Sequence, residues 1–443
     1  MKMKKKLAYC LILLLPLVIY SKGVPFPKPG HEGLNVKSLG TFGGFDFGLW
    51  LQYRVMYNNS NIPGPGGTTY LNNMNYDFFR QRFRIGIDIQ SMGKIGVYTQ
   101  LEYRGGWGGS SPITSDAREL SPINNPYNRL QPRGIRYGFV YYAPNEKLNL
   151  SVGIIPLTDG IGRILFDADW DFSVGGIALG GKLAKGDYRL AYVRMIEGVG
   201  GTEDQIDRNG DLIIADYYLH LNKSFTLGSH FYSLTVPSPL NVITSKSEVW
   251  YGLTAQGNFN QADLAVMILL NQGNIESKIH NGRAFKLEVG FQLGKTQVSI
   301  QAMTTTGDEE GKIDKRFVTL HQLIGTSGFW GYSHIFIANG PSDVNDLGLE
   351  MGNNGAGLST LQTKVDFPIS NKFDGQFFGG WFQSSKERNS SKDLGTEFGG
   401  MLTYKVAKYL KWELGVSSAS IGDFYAPNAE NLTEIYSRFQ FTW

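Results

Sequence analysis

The sequence predicts an all-β chain closed into a transmembrane, antiparallel, up-and-down β-barrel, with eighteen strands expected and twenty possible. Three observations lead there. Apolar and polar side chains alternate over long segments; short and long connections alternate between those segments; and no helical period is sustained anywhere along the chain.

Successive strand side chains point to opposite sides, so a membrane-facing strand reads apolar at every second position. From Phe45 to Tyr57 one face carries Phe45, Phe47, Leu49, Leu51, Tyr53, Val55 and Tyr57, and the other carries Asp46, Gly48, Trp50, Gln52, Arg54 and Met56. Phe79, Phe83, Ile85, Ile87 and Ile89 repeat the pattern against Arg80, Arg82, Arg84, Gly86 and Asp88. Val97, Leu101 and Tyr103 stand against Tyr98, Gln100 and Glu102. Further apolar rows are Ile135/Tyr137/Phe139/Tyr141, Leu148/Leu150/Val152/Ile154 and Phe285/Leu287/Val289/Phe291. Phe398/Leu402/Tyr404/Val406, Leu410/Trp412/Leu414/Val416 and Ile435/Phe439/Phe441/Trp443 complete the set.

Eight short turns fall at Ser91–Lys94, Pro144–Lys147, Lys185–Asp187, Asn222–Ser224, Asn258–Gln261, Gly294–Thr296, Ser370–Lys372 and Ala407–Tyr409. Between them run nine longer Gly/Ser/Asn/Asp-rich connections, near 58–76, 105–132, 157–172, 197–210, 237–247, 272–282, 306–355, 385–393 and 420–433. Outer-membrane barrels have short periplasmic turns and longer external loops, so this rhythm implies an even strand count with both termini periplasmic. Within 306–355, Arg316–Ile324 and Phe329–Ile337 could form one more hairpin and give twenty strands. Trp330, Gly331, Tyr332 and His334 mix both faces, however, so the segment is read as a loop folded into the lumen.

The first 23 residues read as a cleaved export signal: a basic MKMKKK start, an apolar stretch from Leu7 to Tyr20, and small residues at Ser21 and Gly23. The lone cysteine, Cys10, would leave with it, so disulfides play no part. A short periplasmic segment, 24–42, then precedes a barrel spanning 43–443. No later run reaches eighteen apolar residues; the longest extends only from Leu264 to Leu270. Removing the signal leaves 37 Lys and Arg against 39 Asp and Glu, which excludes a nucleic-acid binder that works through a generally basic surface. A soluble, secreted β-sandwich also alternates, yet it explains neither the loop rhythm nor so large an outward apolar load.

Several segments resemble the alginate-export family of outer-membrane channels and related substrate-selective porins. They are Phe78–Gly86, Tyr98–Glu102, Leu150–Ile154, Gly328–Tyr332, Leu394–Glu397 and Gly422–Tyr425. The resemblance implies an eighteen-stranded barrel with an Arg-lined, electropositive pore for anionic sugars or related solutes, located in the bacterial outer membrane.

If the apolar rows face lipid, Arg54, Arg80, Arg82, Arg84, Arg104 and Arg136 project into the lumen, with Asp88 and Glu102 among them. Alternate residues lie about 6.6 Å apart along a strand, so Arg80, Arg82 and Arg84 form a ladder that attracts anions. The competing reading pairs these arginines with Asp46, Asp88 and Glu102 in a purely structural network. Elsewhere, inward Lys286, Lys364, Lys405, Lys411 and Arg438 are balanced by Glu288, Asp366, Glu397, Glu413 and Glu434. Asp167, Asp169 and Asp171 resemble the start of a calcium loop, but Phe172 replaces the required glycine, so they read as loop solvation or as groups docking on the arginine wall. Trp330 and Tyr332 belong to the lumen loop.

No metal-ligand spacing, catalytic elbow or cofactor fingerprint is present, so neither metal, cofactor nor enzymatic activity is expected. The expected partners are outer-membrane lipids, small anionic or sugar solutes, and the barrel-assembly machinery through Phe441 and Trp443. A non-conducting surface or adhesin barrel and, less favoured, a rim-sited barrel enzyme are the alternatives to a diffusion channel.

Overall fold

A strand with one apolar face must bury that face or present it to lipid, and pairing every edge by closure satisfies all of its backbone groups. In this computed structural model, residues 36–62, 76–91, 93–106, 131–168, 172–196, 209–235, 245–275, 278–309, 312–324, 328–337, 340, 346–427 and 429–443 are described. The first hairpin is β1 (Lys37–Phe42) and β2 (Phe45–Ser60). Next come β3 (Tyr76–Ser91), β4 (Ile95–Gly106), β5 (Gln131–Asn145), β6 (Leu148–Pro156), β7 (Ser173–Leu183), β8 (Gly186–Ile196) and β9 (Gly210–Asn222). Then follow β10 (Phe225–Thr235), β11 (Ser245–Phe259), β12 (Ala262–Ile275), β13 (Lys278–Leu293) and β14 (Thr296–Thr305). The last five are β15 (Leu358–Pro368), β16 (Phe373–Arg388), β17 (Ser391–Ala407), β18 (Leu410–Ile421) and β19 (Leu432–Thr442).

Each strand pairs antiparallel with the next, and β19 pairs with β2, so β2 to β19 close an eighteen-stranded barrel with β1 as an extra strand. The twenty-strand alternative fails. Within 306–357 the described residues hold one turn of α-helix, α1 (Leu320–Ile324), a 3-10 turn at Asn353–Gly355 and one isolated parallel bridge between Ile337 and Leu349, with no hairpin.

All eight expected short turns join consecutive strands. Two of the expected long loops are instead continuations of hairpins. β12 runs on to Ile275 and β13 resumes at Lys278, while β16 and β17 pair as far as Arg388 and Ser391 around Asn389 and Ser390, whose φ angles are 52° and 58°. Positive φ at both central residues matches the twist of the flanking strands, which is why Asn and Ser suffice there. Polarity marks where strands leave the apolar belt, and pairing continues beyond it. Gly43 and Gly44, at φ 60° and 83°, make the same kind of turn between β1 and β2.

The outward rows fall where alternation puts them, with Phe398 at 68% and Phe377 at 62% exposed. β5 is a correction. Gln100 pairs with Tyr137 but Leu101 pairs with Ile135, so Arg136 is an extra residue in a bulge. The inserted residue reverses the parity of the strand: Ile135, Val140 and Tyr142 face outward, while Tyr137, Phe139 and Tyr141 are buried inside.

The seam at β2 is shared by two strands. β19 pairs with Gln52 to Ser60, and Trp443 exchanges backbone hydrogen bonds with Leu51 at 2.9 and 3.0 Å. β1, six residues of the 24–42 segment, pairs below it with Phe45 to Leu49. The Lys37 ammonium caps this junction, 3.8 Å from the centre of the Tyr409 ring and 4.8 Å from that of Trp443.

The inner rows pack on two connections folded into the lumen. One is 157–172, burying Ile161, Ile164, Leu165 and Phe166; the other is 306–357, burying Phe317, Leu320, Trp330, Ile335, Phe336 and Ile337. The apolar run Leu264–Leu270 thus serves two media, since Ala265, Met267 and Leu269 meet this core while Ile268 lies outside.

Candidate functional site: an arginine wall and the loops facing it

Antiparallel register places inward residues of neighbouring strands side by side. Arg54 of β2 lies opposite Arg82 of β3, and Arg82 lies opposite Arg104 of β4, so three guanidinium-bearing positions form one transverse row. With Arg80 and Arg84 one step above and below on β3, the ladder is also a band. Like charges directly opposite on a sheet destabilise it by up to about 1 kcal/mol per pair. The arrangement therefore needs compensation or use.

Glu102 provides part of the compensation. Its carboxylate pairs with Arg84 and Arg104 and lies 4.0 Å from Arg136 Nε. Arg82 also donates to Gln52 Oε1 at 3.3 Å, and Arg136 to Gln100 Oε1 at 3.0 Å. Asp88 accepts the Tyr141 hydroxyl at 2.9 Å rather than pairing with an arginine. Arg54, Arg82 and Arg84 are buried, whereas Arg80 is exposed.

The 157–172 loop docks on this wall by its backbone. The Ala168 carbonyl accepts Arg136 Nη2 at 2.6 Å and the Tyr137 hydroxyl at 2.7 Å. Asp167 is not a solvated calcium-loop residue. It is fully buried, accepts the Thr158 hydroxyl at 3.2 Å and faces Arg163 Nη1 at 3.4 Å within its own loop. Asp169 and Asp171 lie outside the described residues; no group of His, Cys, Asp and Glu with metal-site geometry occurs among those described. The bend is organised by Asp159, whose carboxylate accepts the amides of Ile161, Arg163, Ile164, Leu165 and Phe166 at 2.6–3.2 Å. Burial raises its pKa above the ordinary aspartate value, opposed by those amide bonds. Only Thr-Asp-Gly at 158–160, a local turn signature, hints at this in the sequence.

The 306–357 loop is held by the opposite wall. Trp330 and Tyr332 do not reach the arginines. The Trp330 carbonyl accepts Lys286 Nζ at 3.1 Å, and the Tyr332 hydroxyl donates to Glu288 at 2.7 Å. Trp250 Nε1 donates to the Val318 carbonyl at 2.8 Å, and His280 binds the Arg316 carbonyl at 2.9 Å and Glu248 at 3.0 Å. Glu397 of β17 takes the Ser333 hydroxyl and the amides of His334, Ile335 and Phe336, the amides at 2.8–3.2 Å. The two loops touch where a side chain at Gly328 would lie 2.2 Å from the Arg163 carbonyl, so glycine is required there.

Most of the expected balancing pairs form: Lys286 with Glu288, Lys364 with Asp366, and both Lys411 and Arg438 with Glu413. Two acids differ. Lys405 pairs with Asp374 at 2.5 Å, since Glu397 lies eight residues along the same strand, roughly 26 Å away, and Glu434 accepts Asn58 at 2.7 Å.

His334 is fully buried, stacked 4.2 Å from Phe378, with neither ring nitrogen hydrogen-bonded. Burial, aided by the Arg438 charge, pushes its pKa down to about 3. A histidine depressed in the packed state stabilises that state fully above about pH 6.5 and progressively less below it, by about 1.4 kcal/mol per pH unit. Proteolysis of the 306–357 loop is expected to accelerate between pH 6.5 and 5, above the range where ordinary carboxylates titrate. His334→Phe should flatten that dependence; an identical profile in the variant would remove His334 as its cause.

By sequence, no protein-family model and no curated protein matches this chain. By shape it is similar to several solved Pseudomonas aeruginosa structures. OccK3 (OpdO) gives a TM-score of 0.57 at 12% identity, covering 90% of this chain and 95% of that one. OpdK with vanillate gives 0.58 at 12% identity, covering 90% and 98%. OpdQ gives 0.58 at 11% identity, also covering 90% and 98%. At such identities the likeness is one of fold.

Proposed function

We propose that the chain is a bacterial outer-membrane channel through which small anionic or saccharide solutes diffuse passively. The observation that carries this reading is a closed eighteen-stranded wall with apolar rows outside and a band of arginines inside. Guanidinium forks bind carboxylates in pairs, and several moderate sites in series let a solute enter and also leave. One neighbour of the same shape was solved with vanillate, an aromatic carboxylate of the charge type this band would attract. Uronates, the solutes implied by the resemblance to alginate-export channels, belong to the same class. In this reading residues 1–23 direct export, both termini are periplasmic, and Phe441 and Trp443 engage the assembly machinery.

The exposed apolar rows fit a lipid belt. Phe398 lies midway along β17, and Phe398→Arg is expected to cost roughly 2–4 kcal/mol, measured by urea unfolding from liposomes. A change within about 0.5 kcal/mol would contradict its facing hydrocarbon.

Recording in planar bilayers under a KCl gradient tests the function, with discrete conductance and an anion-selective reversal potential expected. Silence would favour the second reading, a non-conducting surface barrel. That reading draws on the continuous apolar cluster that the two infolded loops build inside the lumen.

A further inference from the structure

A cation on the lipid-facing side of a barrel needs water or a counter-ion within reach. Lys37 is such a cation. Backbone pairing sets it opposite Leu49, a member of the outward row of β2, and Trp443 belongs to the outward row of β19. Its ammonium therefore lies on the outer side of the short-turn end, over the rings of Tyr409 and Trp443. Lys408, exposed in the turn between β17 and β18, brings a second ammonium to the Tyr409 ring, 5.0 Å from its centre. Two like charges converging on one phenol repel each other unless an anion lies between them.

No carboxylate among the described residues supplies that anion. Asp46, the one acid of the β1–β2 hairpin, lies on the inward face and takes the Thr41 hydroxyl at 2.5 Å. Asp374 and Glu413 are occupied by Lys405, Lys411 and Arg438, and the Trp443 backbone oxygen accepts the Leu51 amide at 3.0 Å. The uncompensated charge is felt at the Tyr409 hydroxyl. Its hydrogen bond with Lys408, and then the Lys37 charge, hold it below the ordinary tyrosine value against the effect of burial.

The outer surface around these charges is apolar. Phe42, paired with Phe45 on the outward face, is 81% exposed, and Leu39, at the bulge of β1, is 58% exposed. The Phe441 ring lies 6.4 Å from that of Tyr409. A small soluble anion satisfies the ammoniums alone, whereas an anion carrying acyl chains satisfies both the charges and the apolar surface.

We propose that Lys37, Lys408 and Tyr409 hold the phosphodiester of one anionic glycerophospholipid, of the phosphatidylglycerol type, with its acyl chains along the outward rows of β1, β2 and β19. The ammoniums pair with the phosphate oxygens, and the Tyr409 hydroxyl donates to one of them. The lipid so held covers the seam at β2. The proposal rests on the outward rows facing hydrocarbon, which Phe398→Arg tests separately, and not on conduction.

Native mass spectrometry of the full chain, released from an uncharged detergent, tests this by reading the lipids retained. The probes are dimyristoyl phosphatidylglycerol and the phosphatidylcholine with the same chains. Wild type is expected to retain its first phosphatidylglycerol at about a tenfold lower lipid concentration than phosphatidylcholine. Lys37→Ala and Lys408→Ala should each weaken that first phosphatidylglycerol about fivefold, the effect of one basic residue at an anionic lipid surface. Lys37→Arg should keep the preference, and Lys223→Ala, in the turn between β9 and β10, should not change it. Equal retention of both lipids by wild type, or an undiminished preference in both alanine variants, would overturn the proposal. So would displacement of phosphatidylglycerol by equimolar inorganic phosphate, which marks a site for a free anion. Heat-modifiable migration reports the folded fraction of each variant. Lys408→Ala leaves the Lys37 contacts with both rings in place, so it decides the matter even where Lys37→Ala impairs folding. Conductance without lipid preference would remove the site and keep the channel, whereas a silent bilayer with the preference intact would do the reverse.

Discussion

Glu397→Ala is expected to release the centre of the 306–357 loop from the barrel wall. The carboxylate accepts a hydroxyl and three amides from four consecutive residues, Ser333 to Phe336, in a fully buried setting. Such bonds contribute about 0.5–1.5 kcal/mol each, and alanine leaves the amides buried without partners, at about 1–3 kcal/mol for each one left unsatisfied. Even after relaxation the local loss should be on the order of 4 kcal/mol. Trypsin cleavage at Lys312, Lys315 or Arg316 should then accelerate by two to three orders of magnitude, and single-channel current should become larger and noisier. Glu397→Gln keeps one acceptor and should lie between. If alanine leaves the cleavage rate untouched, the carboxylate is not what holds the loop.

The second large effect concerns charge. Replacing Arg80, Arg82 and Arg84 together by Ala should move the reversal potential under a salt gradient toward zero, with anion-to-cation permeability falling severalfold. The shift should be greatest at low ionic strength, where the Debye length of about 30 Å at 0.01 M exceeds the width of the band. An unchanged potential would make the arginines scaffold only. Removing Arg82 relieves the like charges of Arg54 and Arg104 opposite it, whereas removing Arg84 takes a partner from the buried Glu102, so the triple variant should lose more stability than Arg82→Ala alone.

Much of the architecture was legible because a pleat has a period of two and lipid rewards it without interruption. The rows at Phe45, Phe285, Phe398 and Leu410 needed only counting, and the eight tight turns followed from Gly, Asn and Lys between them. β5 escaped because one inserted residue, Arg136, reverses parity, and nothing in Ile135-Arg-Tyr-Gly-Phe marks an insertion. The arginine ladder could be read along β3, but its transverse row could not, since register between strands is not written along a single one. Glu397 and Asp159 were the least visible. A carboxylate that collects backbone amides leaves no pattern of side chains, because its partners are peptide groups common to every sequence.

The joint between β2 and β19 bears on how the molecule comes together. Asn58 reaches Glu434 across 376 positions, so this contact closes almost the largest ring the polymer can make. The configurational entropy of such a ring scales as 1.5RT ln n, about 5 kcal/mol here, and none of it returns until the final hairpin docks. Earlier hairpins can zip sequentially at little cost, leaving an open, curled ribbon with two greasy margins. The clasp of Lys37, Tyr409 and Trp443 sits where those margins meet, so the wait for that last stitch is the slow and vulnerable moment in the folding of the polypeptide.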